Sequence, residues 1–261
     1  MKKLGIFILS SNQELFRNNT MVLKEYYHQV IDRNKFDIDL YSFIGDSDCI
    51  TTYEDGDTIH CKCDDRNVYE KQKQLMMYLF IKKNYEFILI VNNSTLVNIE
   101  MIYNEMLLSN ALKNDSWYCV NIAMNNLLNY VYFKYPNGNF KLLSYNLLKN
   151  VYLVYETAYE KLKPLYDSLV GDFNTNLWNG VPEDMVLGLC NTFLNIEEFC
   201  FTSYASVYDY LTTDGIGMNF DFKNLVALTF KMPGNFDERL KNETALLKDI
   251  IAKIEKAKPT V

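Results

Sequence analysis

The chain has 261 residues, of which 49% are hydrophobic and 23% charged, and its formal net charge is −7. This composition is typical of a globular protein and excludes a chain that is mainly disordered. The excess of acidic groups disfavours general nucleic-acid binding, which needs clustered Lys and Arg. The chain contains no run of 18 apolar residues, so no transmembrane helix is predicted.

The amino-terminal segment is basic and then apolar, and it predicts a buried first strand over residues 4–10. This apolar run is too short for a secretory signal, and no small-residue cleavage site follows it. The six cysteines have no C-x-x-C spacing and are accompanied by only two histidines, which predicts free thiols and not zinc ligands. Together these features predict a soluble, cytoplasmic protein in a reducing compartment.

Strands and helices alternate through the first half of the chain. Residues 36–43 alternate with period two, as a strand does, and residues 87–91 are wholly apolar, which predicts a central strand covered on both faces. This alternation predicts an α/β fold with a mostly parallel sheet. The other elements predicted in this half are a helix over 13–33, a short strand over 57–61, a helix over 68–83 and a helix over 99–112.

The second half mixes short strands, turns and helices. Ser144 is placed to cap a helix, and Pro182, followed by two acidic residues, opens another. The closing helix is predicted over 236–256 from its apolar stripe. No linker or repeat interrupts the chain, which predicts a single domain. The remaining elements predicted here are strands over 117–120 and 130–133 and a turn over 135–139.

Ligands of open α/β sheets bind beyond the carboxyl ends of the strands. Three polar segments occupy such places in the predicted order of elements, at residues 10–11, 45–48 and 92–94. The chain contains neither G-x-G-x-x-G after its first strand nor the P-loop pattern G-x-x-x-x-G-K-[ST]. A conventional dinucleotide or P-loop site is therefore disfavoured.

Five spaced segments carry a family resemblance. In chain order they are FRNNT at 16–20, EDGDTI at 54–59 followed by Asp65 and Lys73, YEFIL at 85–89 with TLVN at 95–98, the stretch 135–144 with Gly138, and EDMVLGLC at 183–190. In this order they resemble the motifs of the β-1,3-galactosyltransferase and Fringe group of GT-A glycosyltransferases. The resemblance implies a GT-A-like, Rossmann-type fold with a mixed, mostly parallel sheet flanked by helices. The implied single domain has a nucleotide-binding half (1–115), an acceptor half (116–230) and a C-terminal helix (231–261).

The function implied by the resemblance is that of a hexosyltransferase. Such an enzyme transfers a sugar from a UDP-sugar donor to a hydroxyl group of a glycan or another acceptor, and an inverting mechanism is expected. A bacterial or viral glycan pathway would fit such a chain, although the sequence does not choose the context. Two alternatives stay open. One is a catalytically inactive relative that binds a nucleotide sugar, a glycan or a partner protein, and the other is an α/β interaction module that resembles the family by chance.

The chain departs from the family at the metal site. Where the family has three acidic residues after the central strand, this chain has Asn92, Asn93 and Ser94. Neutral oxygens bring no charge to a hard cation such as Mn or Mg, and no histidine follows His60. This degenerate DxD disfavours a divalent-cation cofactor without excluding one. Residues 46–48 spell D-S-D but follow another strand, where a solvated turn is favoured over a relocated metal site.

The resemblance also implies the catalytic residues. An acceptor hydroxyl must lose a proton as it attacks the donor sugar. Asp184, with Glu183 beside it, matches the family's general base. The alternative is structural, because acidic residues stabilise the first turn of many helices without any catalytic role.

Four cations are candidates for balancing the charge of the leaving diphosphate. Arg17 and Lys73 match family positions, whereas Arg66 and Lys231 match none. The alternative for each is an ordinary surface cation.

The remaining candidates contact the nucleotide or the acceptor. Residues 92–94 could instead close a turn, and the aromatic candidates could instead belong to the core. The candidates are Ser10, Ser11 and Asp65 for the uridine or ribose, Asn92, Asn93 and Ser94 for the ribose or diphosphate, and Gly138, Tyr145 and Trp178 for the acceptor.

Overall fold

The computed structural model describes most of the first 107 residues and parts of the remainder. The described residues are 2–83, 85–107, 116–119, 122–127, 131–136, 140–145, 147–148, 197–200, 204–206, 222, 225–232 and 234–257.

The strands and helices of these described ranges are numbered in chain order. The strands are β1 (Lys2–Leu9), β2 (Ile38–Gly45), β3 (Tyr53–Asp55), β4 (Thr58–Cys61), β5 (Tyr85–Asn92), β6 (Thr95–Val97), β7 (Ser116–Cys119), β8 (Ile122–Leu127), β9 (Val131–Pro136), β10 (Phe140–Ser144), β11 (Glu197–Cys200), β12 (Tyr204–Ser206) and β13 (Ala227–Thr229). The helices are α1 (Glu14–Asn34), α2 (Val68–Lys82), α3 (Ile99–Met101), which continues as a π-helix over Ile102–Leu107, and α4 (Phe236–Lys256).

Eight strands form the main sheet, in the order β11-β7-β10-β5-β1-β2-β4-β3. β1 lies at its centre, parallel to β2 and β5, and β4 extends the parallel part beyond β2. β10 runs antiparallel to both β5 and β7 and makes the sheet mixed. The predicted α/β fold, with a mixed and mostly parallel sheet flanked by helices in one domain, is confirmed.

Both faces of the central strands are buried. Leu4, Ile6 and Ile8 of β1 belong to a hydrophobic cluster with residues of α1 and α4. Phe7 belongs to a second cluster, with residues of α2, on the opposite face. Successive side chains of a strand point to opposite faces, so helices on both sides require apolar residues at every position. This explains why the run 87–91, within β5, predicted a central strand.

The closing helix α4 agrees with the helix predicted over 236–256. Its start is fixed by a capping box, which satisfies backbone donors that have no partner within the helix. The side chain of Asn235 accepts a hydrogen bond from the N–H of Glu238 at 3.0 Å, and the Glu238 carboxylate accepts one from the N–H of Asn235 at 3.2 Å.

The cap predicted at Ser144 is confirmed, because its hydroxyl oxygen accepts a hydrogen bond from the N–H of Leu147 at 3.1 Å. The predicted length of that helix lies outside the described residues. Within the described ranges, no helix is long and apolar enough to cross a lipid bilayer.

Strands β6, β10 and β13 are among those that the sequence did not predict. In β10, Lys141 is only 2% exposed, and its ammonium group donates to the Gln72 side chain at 3.4 Å. A buried, paired lysine interrupts the apolar run and hides the strand from pattern-based prediction. Of the helix predicted over 99–112, the described part is α-helical in α3 and then widens to a π-helix over Ile102–Leu107, and residues 108–112 lie outside the described residues.

Candidate active site

A cavity opens at one edge of the main sheet, where the carboxyl ends of the parallel strands β1 and β5 meet. Its volume is about 370 Å³, within the range of small-molecule sites. Open α/β sheets bind ligands at such an edge. The lining residues are Leu9, Ser10, Ser11, Gln13, Phe16, Asp65, Arg66, Val68, Lys71, Asn92, Asn93, Ser94, Lys231 and Arg239.

The cavity brings together the residues predicted to contact the uridine or ribose, and the three residues predicted to contact the ribose or diphosphate. They are Ser10, Ser11 and Asp65, and Asn92, Asn93 and Ser94. Of the four candidate cations, Arg66 and Lys231 line the cavity. Arg17 is exposed on α1, and Lys73 lies on α2, but neither lines it. The structure places neither of these two cations at this cavity, and their predicted role beside the diphosphate stays a prediction.

The lysine of α2 that lines the cavity is Lys71, which sequence reasoning missed. Lys71 lines the cavity and is 2% exposed. It lies one helical turn before the buried Leu75, on the apolar face of the helix. Lys73 is two residues further along, which turns it by about 200° around the helix axis. The apolar stripe of α2 therefore contained a signal that favours Lys71.

Asp65 and Lys71 form a structural clamp at the base of the cavity. Asp65 Oδ2 accepts a hydrogen bond from the N–H of Asn12 at 2.7 Å, and Oδ1 accepts one from the N–H of Gly45 at 2.9 Å. Lys71 Nζ lies 3.3 Å from Asp65 Oδ1 and donates to the backbone oxygen of Ser10 at 2.7 Å. One ion pair thus holds together the ends of β1 and β2 and the start of α2.

The environment of Asp65 keeps its carboxyl group ionised. Burial by itself raises the pKa of Asp65, but the amides of Asn12 and Gly45 and the Lys71 ammonium outweigh burial and hold the pKa below its usual value. Gly45 permits this approach, since a Cβ atom there would lie 2.4 Å from the Cα of Asp65.

The hydroxyl groups of the two serines after β1 are engaged within the protein. Ser10 Oγ accepts a hydrogen bond from the Thr20 hydroxyl at 2.7 Å, and Ser11 Oγ accepts one from the N–H of Gln13 at 3.1 Å. Both bonds fasten α1 to the end of β1. Contacts from this segment to a ligand would therefore come from backbone groups, from the remaining lone pairs of these oxygens and from the O–H of Ser11, which has no acceptor among the described residues.

The residues that follow β5 form a neutral, buried wall. Asn93 is 7% exposed and its Nδ2 donates to the backbone oxygen of Phe16 at 3.2 Å. Its Oδ1 has no partner among the described residues. The backbone oxygen of Ser94 accepts the N–H of Phe230 at 2.9 Å. Since Phe230 follows β13, these bonds join β5 to both α1 and the segment that carries Lys231.

The charge of the cavity wall is mainly positive. The described lining includes four cations, Arg66, Lys71, Lys231 and Arg239, and one carboxylate, Asp65. Lys71 is paired with Asp65, and Arg239 with the buried Glu243 of α4, so Arg66 and Lys231 supply the excess positive charge. Clefts lined mostly by one sign of charge concentrate ligands of the opposite sign. The electrostatics of the cavity favour an anion.

The described residues do not fit a resident divalent cation. Mn²⁺ and Mg²⁺ prefer carboxylate oxygens, yet the one carboxylate in the described lining, Asp65, already accepts three hydrogen bonds. Across the part of the chain that the structure describes, no three His, Cys, Asp or Glu side chains are grouped to hold a metal.

The D-S-D segment is arranged as a turn. Asp46 Oδ1 accepts a hydrogen bond from the N–H of Asp48 at 3.1 Å, and Oδ2 lies 3.3 Å from Nδ1 of His60. This is the local bonding pattern of an Asx turn.

Some predicted site residues lie outside the described residues, as does the helix predicted to open at residue 182. They are the predicted catalytic pair, Glu183 and Asp184, and two acceptor candidates, Gly138 and Trp178.

Tyr145 is described, and it lies away from the cavity. It follows Ser144, which pairs with Phe87 near the amino end of β5, roughly 15 Å along the strand from the cavity. Its hydroxyl group donates to the backbone oxygen of Phe80 at 3.4 Å. Its predicted role beside an acceptor stays a prediction.

Comparison with known proteins identifies the fold. No protein-family model and no curated protein sequence matches the chain. Among solved structures, an active-site mutant of LgtC matches with a TM-score of 0.51 and 10% identity, covering 98% of this chain and 97% of that one. The galactosyltransferase LgtC with donor and acceptor sugar analogues matches with 8% identity, the same coverage and a TM-score of 0.49. A glycosyltransferase involved in glycosylation of the major capsid of PBCV-1 matches with 13% identity and a TM-score of 0.47, covering 92% of this chain and 98% of that one.

The chain therefore has the fold of GT-A glycosyltransferases. The resemblance predicted from the sequence is confirmed at this level. A specific likeness to the Fringe group stays a prediction.

Proposed function

We propose that the protein is a glycosyltransferase that moves a hexose from a UDP-sugar to a hydroxyl group of a glycan or other acceptor. The observation that carries this proposal is the cavity at the carboxyl ends of β1 and β5, in a GT-A fold, with a wall of amides and cations. A nucleoside diphosphate combines the apolar and polar surface that such a cavity accepts with the negative charge that its cations favour.

The proposed donor lies with its uridine near the segment after β1 and with its diphosphate near the segment after β5. Ser10, Ser11 and Asp65 are assigned to the uridine and ribose. Asn93, whose Oδ1 has no partner among the described residues, is assigned to the ribose, together with Asn92 and Ser94. This orientation turns the leaving phosphate towards Lys231, which is exposed and lines the cavity.

Two chemical tasks remain in sugar transfer. The growing negative charge on the leaving diphosphate must be balanced, and we assign this to Lys231 and Arg66, because cations and fixed donors stabilise charge that develops in a transition state. The acceptor hydroxyl must lose its proton, and we assign this to Asp184 as general base. A single displacement with such a base inverts the configuration at the sugar.

Because the cavity offers cations and amides to the diphosphate in place of carboxylates that would hold a metal ion, we predict that transfer does not require a divalent cation. The test is donor hydrolysis and transfer over a panel of UDP-sugars, measured with EDTA and with added Mn²⁺. The proposal expects turnover of one donor at the same rate in both conditions. Turnover that appears only with Mn²⁺ would contradict the cation-based account while leaving the transferase itself in place.

The inactive alternative is favoured by the neutral residues 92–94, which lack the family's metal-binding charge. It predicts binding without turnover. UDP at 100 times its Kd would stabilise the fold by about 2.7 kcal/mol, so a rise in melting temperature with UDP, combined with no hydrolysis of any donor, would favour this alternative. An α/β interaction module predicts neither a rise in melting temperature with UDP nor hydrolysis of any donor.

A further inference from the structure

Helix α4 carries a completely buried carboxylate. Glu243 has an exposed fraction of 0% and accepts four hydrogen bonds. Oε2 accepts from Nε of Arg239 at 2.8 Å and from the N–H of Met232 at 3.2 Å. Oε1 accepts from Nδ2 of Asn19 at 2.9 Å and from Nη2 of Arg239 at 3.2 Å. A buried carboxylate is stable only when it is paired and hydrogen-bonded, and these donors meet that requirement.

Arg239 connects this buried carboxylate to the cavity. Its Nε and Nη2 atoms bind Glu243, whereas Nη1 has no partner within the described structure. The side chain lines the cavity and is 15% exposed, and its guanidinium carbon lies 6.0 Å from the centre of the Phe16 ring. The guanidinium is therefore fixed along one edge and keeps N–H donors on the other, which is the geometry that suits phosphate oxygens.

Glu243 also fixes the segment that carries Lys231. Met232 donates its N–H to Glu243, and Phe230 donates its N–H to the backbone oxygen of Ser94. Lys231 lies between these two anchored residues, and its side chain lines the cavity. One buried carboxylate thus positions two cations at the same cavity.

We propose that Arg239 is a ligand of the diphosphate and that Glu243 is its positioning residue. This inference rests on the proposed function only for the identity of the anion as a nucleoside diphosphate. It makes α4 part of the binding site, although the sequence predicted only an apolar closing helix. Holding the guanidinium in place before the ligand arrives removes an ordering cost from binding.

A purely structural pair would behave differently. Asn19 also accepts a hydrogen bond from the Thr244 hydroxyl at 2.6 Å, which joins α4 to α1 directly. An Arg239–Glu243 pair that served only to fasten these helices would change the melting temperature and leave anion affinity unchanged.

The experiment uses a double variant, Arg239→Gln with Glu243→Gln. Removing Arg239 alone would leave Glu243 buried without its cation, which destabilises strongly, whereas the double variant removes both charges and keeps the net charge of the protein. The matched control is Asp249→Asn with Lys253→Gln, because these residues form an exposed i,i+4 ion pair on the same helix. Arg239→Lys is the conservative variant, since it keeps the charge but loses the two-point geometry.

Affinities for UDP and for inorganic pyrophosphate are measured by calorimetry in EDTA, and the affinity for uridine by ligand-observed NMR. We expect the double variant to lose about tenfold to a hundredfold in affinity for UDP and pyrophosphate, the size of one or two charge-assisted hydrogen bonds. Uridine affinity is expected to stay unchanged. Arg239→Lys is expected to recover part of the loss, and the control to bind both anions as the wild type does.

The outcomes separate this inference from the proposed function. Wild-type affinity for UDP and pyrophosphate in the double variant would overturn the role of Arg239 and leave the transferase proposal intact. Equal losses for UDP and uridine would assign the pair to structure and overturn the role in the same way. Binding of pyrophosphate but not of UDP by the wild type, lost in the double variant, would support the anion site and reject the donor. Binding of neither probe by the wild type would overturn both.

Discussion

Replacing Asp65 with asparagine is expected to lower the free energy of unfolding by about 3 kcal/mol, the lower end of the range for a buried ion pair that loses one partner. The variant leaves Lys71, which is 2% exposed, with the backbone oxygen of Ser10 as its described acceptor. An asparagine also offers one acceptor oxygen where Asp65 offers two to the amides of Asn12 and Gly45. We choose the lower end because the Asp65 side chain is still 21% exposed.

The measurement is urea unfolding of the two proteins, with Asp64→Asn as the control. Asp64 is the exposed neighbour of Asp65, and its side chain accepts a hydrogen bond from the N–H of Arg66 at 2.8 Å, which an asparagine can also accept. The control is expected to stay within about 0.5 kcal/mol of the wild type. Equal stability of Asp65→Asn and the wild type would show that the clamp does not hold the base of the cavity.

The ion pair between Asp65 and Lys71 also predicts the direction in which stability changes with pH. The pKa of Asp65 is lowered in the folded state from an ordinary value of 3.8. The stability that it contributes is therefore fully present above that value and is lost as the pH falls through the lowered folded-state pKa. The stability difference between wild type and Asp65→Asn should be complete at about pH 6 and should shrink in stronger acid. A stability difference between the two proteins that grows on acidification would contradict a lowered pKa of Asp65 in the folded state.

Replacing Asp184 with asparagine is expected to lower the rate of sugar transfer by about 10² to 10⁴-fold, which is the usual contribution of a general base. The amide keeps the size of the side chain and cannot accept the acceptor's proton. UDP affinity is expected to stay unchanged, because the proposed base contacts the acceptor and not the nucleotide. Steady-state transfer with the donor found active and calorimetric UDP binding together check this result.

The control for this substitution is Asp249→Asn, which removes a carboxylate from the exposed face of α4, where Asp249 is 54% exposed. It is expected to transfer at the wild-type rate. Transfer by Asp184→Asn at that rate would reject Asp184 as the base. A parallel loss of UDP affinity and melting temperature would instead assign Asp184 to the start of its predicted helix.

The sequence predicts the framework of the fold well because the framework is specified by local patterns. The wholly apolar run 87–91 is explained by helices on both faces of β5, and the stripe of α4 recurs with the period of a helix. β10 escaped prediction because Lys141 is buried in it, paired with a glutamine more than sixty residues away in the chain. No local pattern contains such a partner.

The candidate site likewise has a part that local sequence patterns specify and a part that depends on contacts between distant segments. Residues 10–11, 45–48 and 92–94 were predicted to lie beyond the carboxyl ends of strands, and the first and third of these segments line one cavity. Arg239 and Glu243 are spaced as an ordinary i,i+4 pair on a surface helix. Their importance depends on Asn19, at the other end of the chain, which completes the burial of Glu243. Packing between distant segments, and not spacing, brings this arginine to the cavity.

The central claim is that the cavity binds a nucleoside diphosphate through amides and cations without a carboxylate-held metal ion. The most direct test is a crystal structure of the protein soaked with UDP and Mn²⁺, with anomalous data collected at the manganese edge. We predict that the ribose lies within hydrogen-bonding distance of Asn93 and the diphosphate within that distance of the cationic side chains of the cavity, with no manganese peak beside it. A manganese peak that joins the diphosphate to carboxylates, or UDP bound away from this cavity, would contradict the account.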